Sequence, residues 1–367
     1  MPRPLVARID LAAIRHNYRY AKQLAPASRA VAVIKANAYG HGAVAVARTL
    51  AAEADAFGVA CAEEAMELRE SGIDNPILLM EGVFEPAELA LAERHRLTPV
   101  VHSPEQLLWL LQARPGRPLS CWLKMDTGMH RVGLAPRAFQ EAYRCLRACP
   151  HVADIVLMSH LARADELAHP GTTDQLAVFD AHVRDMDSPQ SLANSAAIMG
   201  WTAARRQWLR PGIMLYGATP LPADHPASAP LRRGMCLESA LIAIRELDAG
   251  AAVGYGGRFV CSTPTRVGVV SIGYADGYPR HARDGTPVAV KGRRTRIIGR
   301  VSMDMLTVDL TPVPDARVGD PVQLWGDRVD PNEVAAASDT IAYQLFAGLS
   351  RRVRLIHQDA DADADAS

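Results

Sequence analysis

The chain carries no excess charge of either sign: in 367 residues, Lys plus Arg and Asp plus Glu both number 40. That balance excludes the overall field that draws nucleic acid or an anionic membrane, and it favours small neutral or zwitterionic ligands. Long hydrophobic runs are also missing. No stretch approaches the roughly 18 apolar residues of a membrane-spanning helix, and the start MPRPLVARIDLAAIRHN has no uninterrupted apolar segment of a secretory leader, so a cytoplasmic protein is expected. Cysteine is sparse, with six at positions 61, 121, 145, 149, 236 and 261 and no C-x-x-C pair among them. Cys145 and Cys149 lie one helical turn apart in YRCLRACP, but no H-E-x-x-H or second cysteine pair completes a metal site. Free thiols and no metal are the expectation.

What the chain does contain is a hydrophobic fraction of 49%, enough to fill one large domain and a smaller one. From about residue 30 to 220 there are eight short apolar runs, AVAVIK, AFGVA, PILLMEG, TPVVHS, LSCWLKMDTG, ADIVLMSHL, QSLANS and LRPGIMLYG; the first seven each precede a helical pattern and the last closes the series. Strands that are apolar on both faces, each followed by an amphipathic helix, predict a parallel sheet covered on its outside, and eight of them suggest a closed barrel. A doubly wound open sheet is the alternative. After the Pro/Ala/Ser-rich connector at 219–230 the runs become short, β-like and punctuated by Gly, Pro and Asp, including TRIIGRVSMDMLTVDL read as one stretch. One helix is expected near DPNEVAAASDTIAYQLFAGLS. The expected organisation is a (β/α)8 TIM-like barrel over 10–230 and a mainly β domain over 231–357 that also takes the N-terminal strand 1–9. Residues 358–367 read as an acidic, disordered tail.

In such a barrel the loops after the strands build the site. The polar residues at those ends are Lys35, Lys124 with Arg131, His160, Asn194 with Ser195, and Arg210 before Gly212. Alone, a lysine closing a strand is usually solvated, a histidine usually a satisfied core group and an arginine an ion-pair partner. Predicted on one face, they favour a site. The loops after strands seven and eight, LANSAA and RPGIML, offer the Ser195 hydroxyl and main-chain donors at Gly212 and Ile213, which suit a phosphate. A lysine facing a phosphate site suggests pyridoxal phosphate, held through a Schiff base, and the otherwise costly strand-end charge is then accounted for.

AVIKANAYGHG, LKMDTGMHRVG, MSHLARADE, LANSAAI, RPGIMLYG, VGYGG, SIGYADGYPR and GRVSMDM together resemble, in order, the segments of the alanine racemases, over residues 5–357. The resemblance implies an N-terminal barrel, a C-terminal β domain and a homodimer with sites shared between subunits. It implies a pyridoxal-phosphate isomerase that interconverts L- and D-alanine. Lys35 would hold the cofactor and act as base on one face of the substrate Cα, and Tyr255, supplied by the second subunit, would act on the other. A tyrosine with an ordinary pKa near ~10 needs a polar neighbour for that task, which the family's histidine–arginine chain, here His160 and Arg210, supplies. Arg210 would also face the pyridine nitrogen, leaving the ring unprotonated. Tyr39, Ser195, Gly212, Ile213 and Tyr343 correspond to phosphate ligands. Arg131 and the backbone at Met303 correspond to contacts with the substrate carboxylate, where a guanidinium pairs bidentately. Lys124 matches a lysine that is carbamylated in many members and supports that arginine, and Tyr274 and Asp304 would line the substrate mouth. The alternatives are a racemase for other or broader amino acids and a decarboxylase of the same fold, although the decarboxylases' glycine-run phosphate loop and reactive cysteine are not found here.

Overall fold

Strand β1 (Val6–Asp10) runs directly into the helix Leu11–Leu24, and the Asp10 carboxylate caps that helix by accepting from Ala13 N at 2.8 Å. The computed structural model describes residues 3–359. Eight parallel strands follow: β2 (Arg29–Val33), β3 (Ala56–Val59), β4 (Ile77–Leu79), β5 (Leu97–Val101), β6 (Leu119–Lys124), β7 (Val152–Met158), β8 (Gln190–Ser191) and β9 (Trp208–Leu209). They pair in the order β8-β7-β6-β5-β4-β3-β2-β9, and each corresponds to one of the eight apolar runs. The sheet closes almost completely. Between β8 and β9 the seam is stitched by Ser191 Oγ donating to Trp208 O at 3.0 Å and by Arg210 N donating to Ala193 O at 3.0 Å.

Side chains pointing inward fill the barrel. Val31, Ala56, Leu78, Val100, Trp122, Val156 and Met158 form one cluster inside it, and the Trp122 and Trp208 rings lie 5.6 Å apart. The opposite faces of the same strands join a large core with the surrounding helices. Burial on both faces is why these strands read as continuous apolar runs.

The second sheet begins with the chain's own N-terminus. β1 pairs antiparallel with β10 (Met235–Leu247) and parallel with β18 (Arg354–Gln358). Between them lie the small hairpin β11 (Ala252–Val253) and β12 (Phe259–Val260), then β13 (Thr265–Val270), β14 (Pro287–Val290), β15 (Arg293–Arg296), β16 (Leu306–Asp309) and β17 (Pro321–Trp325). The stretch read as one β run from 295 to 310 is interrupted: residues 297–305 are irregular, turning at Gly299, where φ is +76°. The single expected helix is two, Pro331–Ala337 and Ala342–Ala347, because Asp339 takes a left-handed conformation with φ 49° and Ile341 is extended. Gln358, expected in the tail, closes β18, and Asp359 accepts from Arg15 at 3.0 Å. The remainder of the expected disordered tail, 360–367, lies outside the described residues. Among the described residues no helix is long and apolar enough to cross a membrane.

Candidate active site

Strand β2 does not pass into an ordinary helix at Lys35. In Lys35–Gly40 the chain makes a helical turn of the wrong hand, with φ of 51°, 54°, 53° and 50° at Ala36, Asn37, Ala38 and Tyr39. Left-handed backbone costs an L-residue about 1–2 kcal/mol, so four in succession hold a strain of several kcal/mol that the surroundings must balance. Gly40 continues the turn at φ +77°, and a Cβ there would meet Phe346 O at 2.1 Å, so the helix Ala342–Ala347 of the β domain lies directly against the turn.

Lys35 and Tyr39 face a cavity of about 640 Å³ at the C-terminal end of the barrel strands. The structure brings Lys124, Arg131, His160, Ser195, Arg210, Gly212, Ile213 and Tyr343 to its wall, together with Asn194. A second cavity of about 650 Å³ opens at the other end of the barrel, lined by Arg29, Asp55, Trp122 and Asp154 among others; no residue with a predicted role lies in it. Chemistry therefore belongs to the first. Among the described residues no group of three or more His, Cys, Asp or Glu is placed to hold a metal ion.

The phosphate-type donors are built as follows. Asn194 caps the helix Ser195–Gly200 by accepting from Ala197 N at 3.1 Å. Ser195 Oγ accepts from Gly212 N at 2.9 Å and Met214 N at 3.3 Å, which leaves the hydroxyl proton to donate. A Cβ on Gly212 would stand 2.9 Å from the Tyr39 hydroxyl, so only glycine lets that hydroxyl and the backbone come together. The Tyr39 and Tyr343 rings lie 5.6 Å apart, and burial pushes the Tyr39 phenol up to about 12, so it is a neutral donor.

Arg210 is 2% exposed and meets no carboxylate. Its guanidinium donates to Ser191 Oγ at 2.5 Å, Ser159 O at 2.8 Å and Leu192 O at 3.1 Å, and reaches His160 Nδ1 at 3.5 Å. Its Nε is buried without a partner. Burial pulls Arg210 down to about 10, and it remains charged at neutral pH. His160 is held well below its ordinary range by burial and then by Arg210, so the ring is neutral. Lys124 is lowered to about 8, first by burial and then by the cations Arg210, Arg131 and Lys35. Glu81 is the one carboxylate among the lining residues, so the cavity is strongly cationic.

Four residues with predicted roles are not brought to the cavity. Tyr255, in the turn Tyr255–Gly257 of the β domain, is 70% exposed; Met303 is 53% and Tyr274 38% exposed. Asp304 has a partner on its own chain, accepting from Arg352 at 2.6 Å, while its carbonyl accepts from Arg3 at 2.9 Å. Within one chain the constellation is incomplete on one side. The sequence reading also passed over three polar side chains packed about the left-handed turn: Asn37 and His41, inside the quoted motif, and Glu64, whose one signal is its place three residues after the cap of the helix Ala62–Glu70.

Comparison with known proteins agrees with this geometry. Residues 9–220 match the family model for the alanine racemase N-terminal domain and residues 234–357 that for the C-terminal domain. The alanine racemase of Pseudomonas entomophila is 56% identical over 349 residues, covering 95% of this chain and 98% of that one. The crystal structure of the biosynthetic alanine racemase from Pseudomonas aeruginosa superposes with a TM-score of 0.94 at 50% identity, covering 97% of this chain and 99% of the other. That of the alanine racemase from Bartonella henselae, with covalently bound pyridoxal phosphate, gives 0.88 at 30% identity over 97% and 100%.

Proposed function

The chain belongs to the alanine racemase family, and from that premise we propose that Lys35 holds pyridoxal phosphate in the cavity and works with Tyr255 of a second copy on the two faces of alanine. It is an isomerase acting on alanine. The residues present fit the cofactor. The Ser195 hydroxyl, the Ile213 amide and the Tyr39 and Tyr343 hydroxyls offer donors suited to a phosphate, while the Gly212 amide donates to Ser195 Oγ and so orients that hydroxyl. The orphaned Nε–H of buried Arg210 suits a ring nitrogen that accepts, hence an unprotonated pyridine.

When bound, pyridoxal phosphate delocalises the electron pair left on Cα as the proton leaves. The protein supplies the remainder. Inversion needs a base on each face of Cα, because one group that removes a proton cannot readily return it from the other side. Lys35 Nζ takes or returns the proton on its face. Arg131, on the cavity wall, pairs with the substrate carboxylate, and the backbone at Met303 of the second copy closes over it. His160 accepts from Arg210 at Nδ1, so its proton sits on Nε2, available to hydrogen-bond an approaching phenolate oxygen. Tyr274 and Asp304 stand beside Met303 at the substrate mouth, Asp304 with its Arg352 pairing intact. Lys124, partly an uncharged amine near pH 8, adds carbon dioxide with release of one proton, and the resulting anion buttresses Arg131. A cytoplasmic setting agrees with the chain's free cysteines.

The observation that carries the two-copy site is the placement of Tyr255, exposed and away from the cavity that holds Lys35. Exchange of the Cα proton in deuterated water tests it. Tyr255→Phe is expected to slow proton removal from one enantiomer by about 10²–10⁴ and leave removal from the other within a fewfold. Equal losses from both enantiomers would contradict the assignment.

A further inference from the structure

The left-handed turn Ala36–Tyr39 is held from two sides by side chains that touch neither the cavity nor any expected substrate atom. On one side, Glu64 Oε1 accepts from Ala36 N at 2.7 Å and Oε2 from Ala60 N at 2.7 Å. A single carboxylate thereby fixes the chain just past the ends of β2 and β3. On the other, His41 Nδ1 lies 2.9 Å from Tyr39 O and 3.1 Å from Ala38 O. Two carbonyl oxygens only accept, so Nδ1 must carry the proton. The ring is fully buried, 4.4 Å from the Tyr216 ring and 5.1 Å from that of Phe346, and its Nε2 has no partner. Burial lowers His41 to about 4, which keeps the neutral tautomer across the physiological range. The His41 carbonyl in turn accepts from His357 Nε2 at 2.8 Å, tying the turn to β18.

We propose that His41 and Glu64 are positioning residues for the reaction: they clamp the left-handed turn and so fix Lys35 and Tyr39 together on the cavity wall. Both groups stand on one rigid turn, so any rotation of it displaces amine and hydroxyl in concert, and a misplacement at this scale degrades a site far more than loss of one contact. The inference rests on the reading that Lys35 and Tyr39 hold pyridoxal phosphate.

The test follows release of pyridoxal phosphate from the loaded full-length enzyme, with the visible absorption band and the melting temperature recorded beside it. His41→Phe keeps a buried ring but deletes the donor. His41→Asn restores an N–H near the Nδ1 position. Glu64→Gln keeps the shape but offers an amide to one backbone N–H that needs an acceptor. His41→Phe and Glu64→Gln are expected to release the cofactor about tenfold faster or more, and His41→Asn to stay within about threefold of the unsubstituted enzyme. Variants that fold and release at the unsubstituted rate, or His41→Asn releasing as fast as His41→Phe, would overturn the proposal. If His41→Phe does not fold, Glu64→Gln decides alone. If neither folds, hydrogen exchange of the unsubstituted chain stripped of cofactor decides: protected amides at 36, 38 and 42 are expected, and exchange within seconds would overturn a preformed turn. Should the loaded, unsubstituted enzyme show no visible band, the cofactor reading fails; a normal band with unchanged release in the variants removes only the clamp.

Discussion

Lys124 illustrates how far a residue's neighbours decide its chemistry. It closes β6, as its place at the end of LSCWLK foretold, but its burial and the three cations around it could be known only after folding. A lysine held at about 8 is deprotonated in the folded state above that pH, whereas an unfolded lysine keeps its proton to about 10.4. Between these values the unfolded chain binds the extra proton, so stability rises with pH, by about 3 kcal/mol if the whole difference is expressed. Chemical denaturation in carbonate-free buffer should show that rise through pH 8–10, and Lys124→Met should flatten it; an unchanged slope in the variant would assign the rise elsewhere. Added bicarbonate should give an intact mass higher by one carbon dioxide, absent in the variant. Residues whose type suited the chemistry, such as Lys35 and Arg210, were legible at this scale. Glu64 was not, because a glutamate in a helix's first turn is ordinarily a solvated group.

Among the elements, the eight barrel strands were readable because burial on both faces leaves a continuous apolar run, and β8 and β9 were found even at two residues each because polar motifs follow them. Elements whose form depends on distant contacts were not readable. Nothing in KANAY announces a left-handed turn, since none of its residues but Asn favours that backbone; Glu64 and His41 hydrogen-bond to it from elsewhere in the fold or beyond its end. The break between Pro331–Ala337 and Ala342–Ala347 had a visible cue in SDT, where short polar side chains compete with helical hydrogen bonds. Gly40 marks the contact between the turn and the second of those helices. Gly40→Ala adds a methyl 2.1 Å from Phe346 O at φ +77°, and is expected to cost about 2–4 kcal/mol, read as a lower melting temperature with weakened cofactor retention. A melting temperature equal to that of the unsubstituted protein would mean that the helix and the turn separate without cost.

For the whole molecule, the first and last described strands, β1 and β18, both lie in the second sheet. β1 joins the β domain while the helix after it packs on the barrel, and Tyr343 reaches from the β domain into the cavity wall. The barrel with a β domain was legible from texture alone. The division of labour proposed for Lys35 and Tyr255 rests on the motif VGYGG alone, because no periodicity tells which surface a turn will meet. The solitary chain leaves Tyr255, Tyr274, Met303 and Met305 exposed on one domain, with the cationic cavity open on the other. In the two-fold assembly proposed above those surfaces would meet reciprocally, each cavity being completed by the other copy.

Mixing subunits measures this directly. Lys35→Ala and Tyr255→Phe homodimers should each be nearly inactive, yet after exchange half the dimers are mixed and each has one cavity with both groups intact, so activity should recover to roughly a quarter of that of the unsubstituted enzyme. No recovery after proven subunit exchange would contradict a site built from Lys35 of one copy and Tyr255 of the other.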